Sequence, residues 1–278
     1  MNVQILNCFA TSQANSGNPA AIVTDCTWSK AEKQAYATQS RLPATVFITQ
    51  AKDKIPVLEY FYLSCEMPMC LHGTLGAAKV LFSDTGAKQL ECATASGLTL
   101  TLLNTGKTLQ VKVSQQPVPD VIVSDDIIFH LLNLNDSSQI DRSLPLIIAS
   151  VGSAKLFIPL NSLSALMALK PNTEAIREWS IANKVQGLYV YTREVYRDAK
   201  LQGNNIAYFH ARAFNPQGGH PEDAATGVAA SALAACLKSS LIIEQGYIMQ
   251  RPSEITVTYK SANEIWVGGK VKERSFTD

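Results

Sequence analysis

Residues 66–78 read EMPMCLHGTLGAA, and residues 218–230 read GGHPEDAATGVAA. Both are polar, proline-bearing loops that run into a Gly- and Ala-rich apolar stretch. Small apolar residues on every side of such a stretch describe a buried helix, here over 74–82 and 225–237. Each loop also sets a titratable side chain just ahead of its helix: His72 in the first, Asp223 in the second. The surroundings match too. ATVFIT at 44–49 is answered by GLYVYT at 187–192, an offset of 143 residues (187 against 44). A helix precedes each run. The one at 29–40 opens on Ser29 with Glu32 three residues on, a capping box. The one at 173–183 takes Thr173 as candidate cap and sets Ile176 and Trp179 on one face. Strand-like runs at 3–9, 57–63 and 206–214 complete the pattern. Each series closes on a hairpin signal: 98–103 and 109–113 around Asn104-Thr105-Gly106-Lys107, then 255–259 and 265–269 around Ser261-Ala262-Asn263.

Errors of pattern reading do not repeat in order, so the chain reads as two copies of one α/β unit. The halves are 1–115 and 145–278, with 116–144, which holds Pro117 and Pro119, as connector. The last residues are placed so that they can cross back to the first half. A pseudo-two-fold axis between the copies predicts a cleft, the usual place for a small-molecule site. Each half would aim one helix N-terminus at it, at Gly73-Thr74 and at Thr226-Gly227. Free N–H groups at such ends hold carboxylates and other anions. His72 and Asp223 would face each other there, as proton transfer at carbon requires: one group removes a proton and the other returns it.

Composition narrows the alternatives. The chain has 278 residues, 46% hydrophobic, with 24 Lys and Arg against 23 Asp and Glu. A net charge of +1 argues against nucleic acid or an anionic membrane as partner. No apolar run approaches the ~20 residues of a membrane helix. The start, MNVQILNCFATSQ, lacks the basic and apolar regions of a signal peptide, which points to the cytoplasm. None of the six cysteines forms a CxxC pair, and the four histidines are scattered. Free thiols are therefore expected and a metal site is not.

Three segments resemble one known family. Gly17-Asn18-Pro19-Ala20-Ala21-Ile22-Val23 is similar to the GNPAAVV-type opening of PhzF-like proteins, the phenazine-biosynthesis isomerase homologues with the diaminopimelate-epimerase fold. Glu66, Cys70 and His72 to Ala78 resemble that family's E-V-x-x-C-G-H-A-T-L-G-A-A segment. Arg212, Phe214 and Pro216, followed by Glu222-Asp223, Thr226-Gly227 and Ala229-Ala230, resemble its R-x-F-x-P…E-D-P-x-T-G-S-A segment. The matches fall in the right order over about 220 residues. The resemblance implies an α+β fold of two pseudo-symmetric halves, each a curled, mostly antiparallel sheet around a central helix. It implies isomerisation of a small carboxylate without a cofactor, commonly in a homodimer. It carries His72 and Asp223 over as the acid/base pair, with Asn18, Gly73, Thr74, Thr226 and Gly227 around the substrate.

The departures are specific. The family's catalytic Glu, in an S-E-T-A-F segment, is matched by Ala44, which cannot carry a proton. Leu71 replaces a Gly, Val228 a Ser and Ala224 a Pro. The alternative is therefore a non-catalytic protein that binds a small anion on the same scaffold. Related racemases use two cysteines; Cys70 lies near the first such position, but no cysteine lies near Asp223. Simpler roles are also open. Asp223 is a candidate helix cap, Glu222 a partner for a base, Glu66 a brace for its loop, and Cys70 a small buried residue.

Overall fold

Helix α1 (Lys30–Ser40) starts where its capping box dictates. The Ser29 Oγ accepts from the Glu32 N–H at 3.4 Å, and the Glu32 carboxylate accepts from the Ser29 N–H at 2.7 Å. The computed structural model describes residues 1–49, 55–83, 85–201 and 204–274. Around α1 the first half runs β1 (Asn2–Ala10), β2 (Asn18–Thr24), β3 (Ala44–Thr49), β4 (Val57–Phe61), β5 (Glu66–Met67), α2 (Leu71–Ser83), β6 (Gln89–Thr94), β7 (Thr99–Asn104) and β8 (Leu109–Val113). The chain continues through α3 (Asp125–Leu132), β9 (Ile147–Ser150), β10 (Ala154–Pro159), α4 (Leu163–Ala168), α5 (Thr173–Asn183), β11 (Leu188–Leu201) and β12 (Asn204–Asn215). It ends with β13 (His220–Asp223), α6 (Gly227–Leu237), β14 (Leu241–Gln245), β15 (Ser253–Ser261) and β16 (Glu264–Glu273).

The duplication is written in the pairing senses. β1–β2 is antiparallel, β2–β3 parallel, β3–β4 and β4–β5 antiparallel, β4–β6 parallel, β6–β7 and β7–β8 antiparallel. From β9 to β16 the same senses recur in the same order. Every parallel step needs a crossover, and a helix supplies each one: α1 and α2 in the first half, α4 with α5 and then α6 in the second. β16 joins the halves. Its first part pairs with β8, Ile265 opposite Val113, and its last part pairs with β1, Glu273 opposite Leu6. All strands thus belong to one curled 16-stranded sheet.

α2 and α6 lie inside the curls. α2 buries every residue from Leu71 to Ala78, and α6 buries Gly227 and Ala229 through Ala235. Small residues make this possible: a Cβ on Gly76 would sit 2.8 Å from the Ile22 Cδ1. A second core lies under α3, α4 and α5, with Ile128, Leu166 and Ile176 fully buried. No helix among the described residues is long and apolar enough to cross a membrane.

Several boundaries differ from the sequence expectation. α2 begins at Leu71 rather than Thr74, because the Cys70 carbonyl accepts from both the Thr74 N–H (2.8 Å) and the Thr74 hydroxyl (2.9 Å). His72 therefore stands in the first turn, not in the preceding loop. α6 begins at Gly227 rather than Ala225, since β13 carries extended chain as far as Asp223. The cap of α5 is Asn172, whose Oδ1 accepts from Ala175 N at 3.1 Å, and not Thr173. The stretch 116–144, read as a connector, contains α3. Ser124 caps it, Asp125 and Asp126 sit in its first turn and His130 in its last, all complementary to the helix dipole.

Candidate active site

The first turns of α2 and α6 meet. A Cβ on Gly227 would come within 3.3 Å of the Leu71 Cβ. Beside this contact opens a cleft of about 110 Å³ between the halves. The first half contributes Tyr62, Met69, Cys70, Leu71 and His72; the second contributes Gly152, Lys155, Asp223, Thr226, Gly227 and Val228. First-turn N–H groups have no intrahelical acceptor, so both helix ends bring donors and positive dipole ends to the same space.

Cys70 and His72 form a pair, with the Cys70 Sγ 3.2 Å from the His72 Nδ1. Burial pushes the Cys70 thiol up. The His72 charge and hydrogen bond outweigh it, helped by the Gly73 N–H and the Tyr62 hydroxyl, and the thiol ends below its ordinary value. Burial also pushes His72 down, but the facing Cys70 and the Asp223 charge outweigh it and raise the imidazole. The two shifts favour thiolate beside imidazolium. Cys8 shows what His72 contributes: it is equally buried, lacks such a partner, and is pushed far up by burial first and by the Cys70 charge second. Tyr62 is raised by burial and by the charges of Cys70 and Asp223, so it stays a hydroxyl that can donate to the sulfur.

Asp223 is held as an acceptor from both sides. The Asn18 Nδ2 donates to its Oδ1 at 2.7 Å, and the Thr226 hydroxyl donates to its Oδ2 at 2.6 Å. Asn18 Nδ2 also donates to the Ala225 carbonyl at 3.2 Å, which ties the end of one half to the loop of the other. Gln245 donates to the Asp223 carbonyl (2.6 Å) and to the Thr226 Oγ1 (3.1 Å). A carboxylate so fixed retains lone pairs for a further donor.

Of the residues singled out in the sequence, His72, Asp223, Thr226 and Gly227 line the cleft. Asn18, Gly73 and Thr74 do not; they lie one layer behind it. Asn18 is fully buried against Asp223, Thr74 hydrogen-bonds the Tyr60 hydroxyl at 2.8 Å, and Gly73 faces Val46. Ala44 is fully buried, and its neighbour Pro43 reaches the cleft instead. Glu66 pairs with Lys30 at the start of α1. Glu222 takes the basic partner expected of it: Arg212 binds it through two bonds of 2.9 and 2.8 Å. Lys155 was not singled out. It is buried, lines the cleft and donates to the Gln186 carbonyl. The only signal for it was a cation in an apolar strand, which repeat matching alone passes over. Among the described residues, no three His, Cys, Asp or Glu side chains are grouped to hold a metal ion.

A duplicated, curled α/β sheet that brings two helix ends, a Cys–His pair and a carboxylate to one cleft is the scaffold of the family that the chain matches. The chain belongs to the phenazine biosynthesis-like family (PhzC/PhzF), whose model matches residues 6–272. An uncharacterized isomerase of Deinococcus radiodurans is 32% identical over 89% of this chain and 83% of its own. The trans-2,3-dihydro-3-hydroxyanthranilate isomerase of Pseudomonas aeruginosa is 27% identical over 94% of this chain and 91% of its own. The crystal structure of a Bacillus anthracis phenazine biosynthesis protein of the PhzF family superimposes with a TM-score of 0.82 at 23% identity, covering 99% of this chain and 98% of that one.

Proposed function

We propose that the chain is an isomerase or epimerase that moves a proton between carbon positions of a small carboxylate in this cleft. The observation that carries the reading is that a proton-handling pair, Cys70 with His72, and a fixed carboxylate, Asp223, line one cleft from opposite halves. A thiolate accepts the proton of a carbon activated by an adjacent or conjugated carboxylate, and the thiol so formed is the acid that returns it. His72 stabilises the thiolate before the step. Asp223 orients a hydroxyl or amino group of the substrate, or returns the proton on the other face. The first-turn N–H groups of α2 and α6 favour the negative charge that develops on the enolate. No electrons are exchanged, so the step balances on protons alone. The P. aeruginosa relative acts on a carboxylate of the anthranilate type, which supports a ring carboxylate as substrate here.

Ala44 favours a second reading, a binding protein on the same scaffold, because the family's usual catalytic carboxylate is missing. Deuterium uptake in D₂O separates the two. The protein is incubated with amino acids, hydroxy acids and cyclic dienoic carboxylates, and uptake at carbon is followed by NMR. The isomerase reading expects uptake that disappears in C70A and falls in H72A. Binding without uptake by the parent protein supports the second reading and sinks the first.

A further inference from the structure

Lys155 is 3% exposed, and its side chain lines the cleft. An ammonium has three N–H donors. Among the described residues one acceptor is engaged, the Gln186 carbonyl. Among the described residues no carboxylate lies within salt-bridge distance of its Nζ, although the charge of Asp223 reaches it. Burial pushes the amine down to about 8, and Asp223 resists that shift. A buried cation with spare donors is unfavourable on its own. An anion entering the cleft supplies the missing acceptors.

The duplication marks the position as special. Gly17 (φ 86°) leads into β2 as Gly152 (φ 100°) leads into β10. Gly17-Asn18-Pro19-Ala20 thus corresponds to Gly152-Ser153-Ala154-Lys155. Ala20 pairs with Ala44 across β2 and β3, and β10 runs parallel to β11 in the same way. The first half fills this spot with methyl groups; the second puts a cation there. Beside the Cys70–His72 pair, one further cation in a small cleft suits a single carboxylate rather than a polyanion.

We infer that Lys155 is the specificity-determining residue of the cleft, its ammonium pairing with the substrate's carboxylate and so selecting acids over their amides and esters. This rests on the proton-transfer reading of the cleft and deepens it, since a cation on that carboxylate also favours the enolate.

The test uses two fluorescent probes that differ only in charge, 2-aminobenzoate and 2-aminobenzamide, titrated against the parent protein, K155M and K155Q. The parent prefers the acid by about 10- to 100-fold, the range of a charge-assisted bond. In K155M and K155Q the preference falls below about 3-fold while amide affinity holds. The parent's preference fades as pH rises through about 8, where the amine loses its proton. Asp223, Cys70, His72, Tyr62 and Tyr189 also face this region, and a flat profile in K155M separates Lys155 from them. Equal binding of acid and amide by the parent, binding of neither, or a preference that survives K155M overturns the assignment. Deuterium uptake reads the isomerase proposal separately. Uptake by the parent alongside a surviving preference in K155M removes Lys155 alone. Acid selection that depends on Lys155, with no uptake, removes the isomerase and leaves a carboxylate binder.

Discussion

Substituting Asn18→Ala tests how the halves hold Asp223. The substitution removes the Nδ2 bonds to the Asp223 Oδ1 (2.7 Å) and the Ala225 carbonyl (3.2 Å). A bond to a charged acceptor is worth about 1.5–3 kcal/mol net and a neutral one about 0.5–1.5. One term runs the other way: the Asn18 Oδ1 is buried without a partner, and deleting it relieves a penalty of about 1–3 kcal/mol. The gross loss is about 2–4.5 kcal/mol, so the expected net loss centres on about 1 kcal/mol and stays below about 3.5. Asp223→Ala loses the Asn18 and Thr226 bonds together, about 3–6 kcal/mol. If the contact is direct, the two changes are not additive, and the double variant is more stable than the sum predicts by about 1.5–3 kcal/mol. Urea unfolding of the parent, the two single variants and the double variant, read by fluorescence with unchanged m-values, gives all four terms. A coupling energy below about 0.5 kcal/mol would refute the bridge.

Three further outcomes are expected. Cys70, which lines the cleft beside His72, should react with iodoacetamide at a pH where an ordinary thiol is protonated; Cys8, which does not line it and is raised by burial, should be unreactive, and exposed Cys65 is the internal reference. The thiolate is favoured to lower pH by its lowered value and the imidazolium to higher pH by its raised one, so each partner extends the charged range of the other. H72Q leaves burial unopposed by that charge and should slow Cys70 alkylation at neutral pH about tenfold or more by peptide mass analysis. Gly73→Ala places a Cβ 2.6 Å from the Val46 Cγ2 and should destabilise by about 1–3 kcal/mol in urea; an unchanged midpoint would contradict the packing. Arg212→Met strands the half-buried Glu222 and removes the guanidinium bonds to the Leu166 and Leu169 carbonyls, for a loss of about 2–4 kcal/mol. Hydrogen exchange in α4 should rise in R212M but not in E222Q, because the carbonyl bonds belong to Arg212 alone.

The fold was legible because it is stated twice. ATVFIT and GLYVYT gave the same local answer at the same place in two series, and their strands carry the same pairing senses. What stayed hidden was decided by contacts distant in the chain. Ser124-Asp125-Asp126 ahead of the mostly apolar stretch 127–132 is a helix start that the connector reading passed over, and the second-half core that buries Ile128, Leu131 and Leu132 comes later in sequence. The start of α2 moved because the Cys70 carbonyl collects two donors from Thr74, a local bond with no compositional signal. The site was partly legible for the same reason. His72 and Asp223 stood out by repeating one position, and both line the cleft. Asn18 stood out by its motif, but it acts through Asp223 from behind. Lys155 is matched in the first half by Ala20, which carries no charge, so a repeat could not reveal it.

The loss of a carboxylate at Ala44 and the presence of Lys155 follow from one charge balance. On the proposed reading the cleft already holds two anions, the Cys70 thiolate and Asp223, against two cations, the His72 imidazolium and the Lys155 ammonium. Burial opposes the charges on Cys70, His72 and Lys155. Cys70 keeps its lowered value only because His72, the Gly73 N–H and the Tyr62 hydroxyl together outweigh that opposition. A glutamate at position 44 would begin in the buried core that also holds Cys70. Its charge would add like-sign repulsion in a low dielectric, pushing the thiol up and one group back to its neutral form. Alanine removes that competitor. On that reading the proton-carrying role falls to the thiolate at the head of α2, and the Lys155 ammonium is the group that would meet an incoming acid.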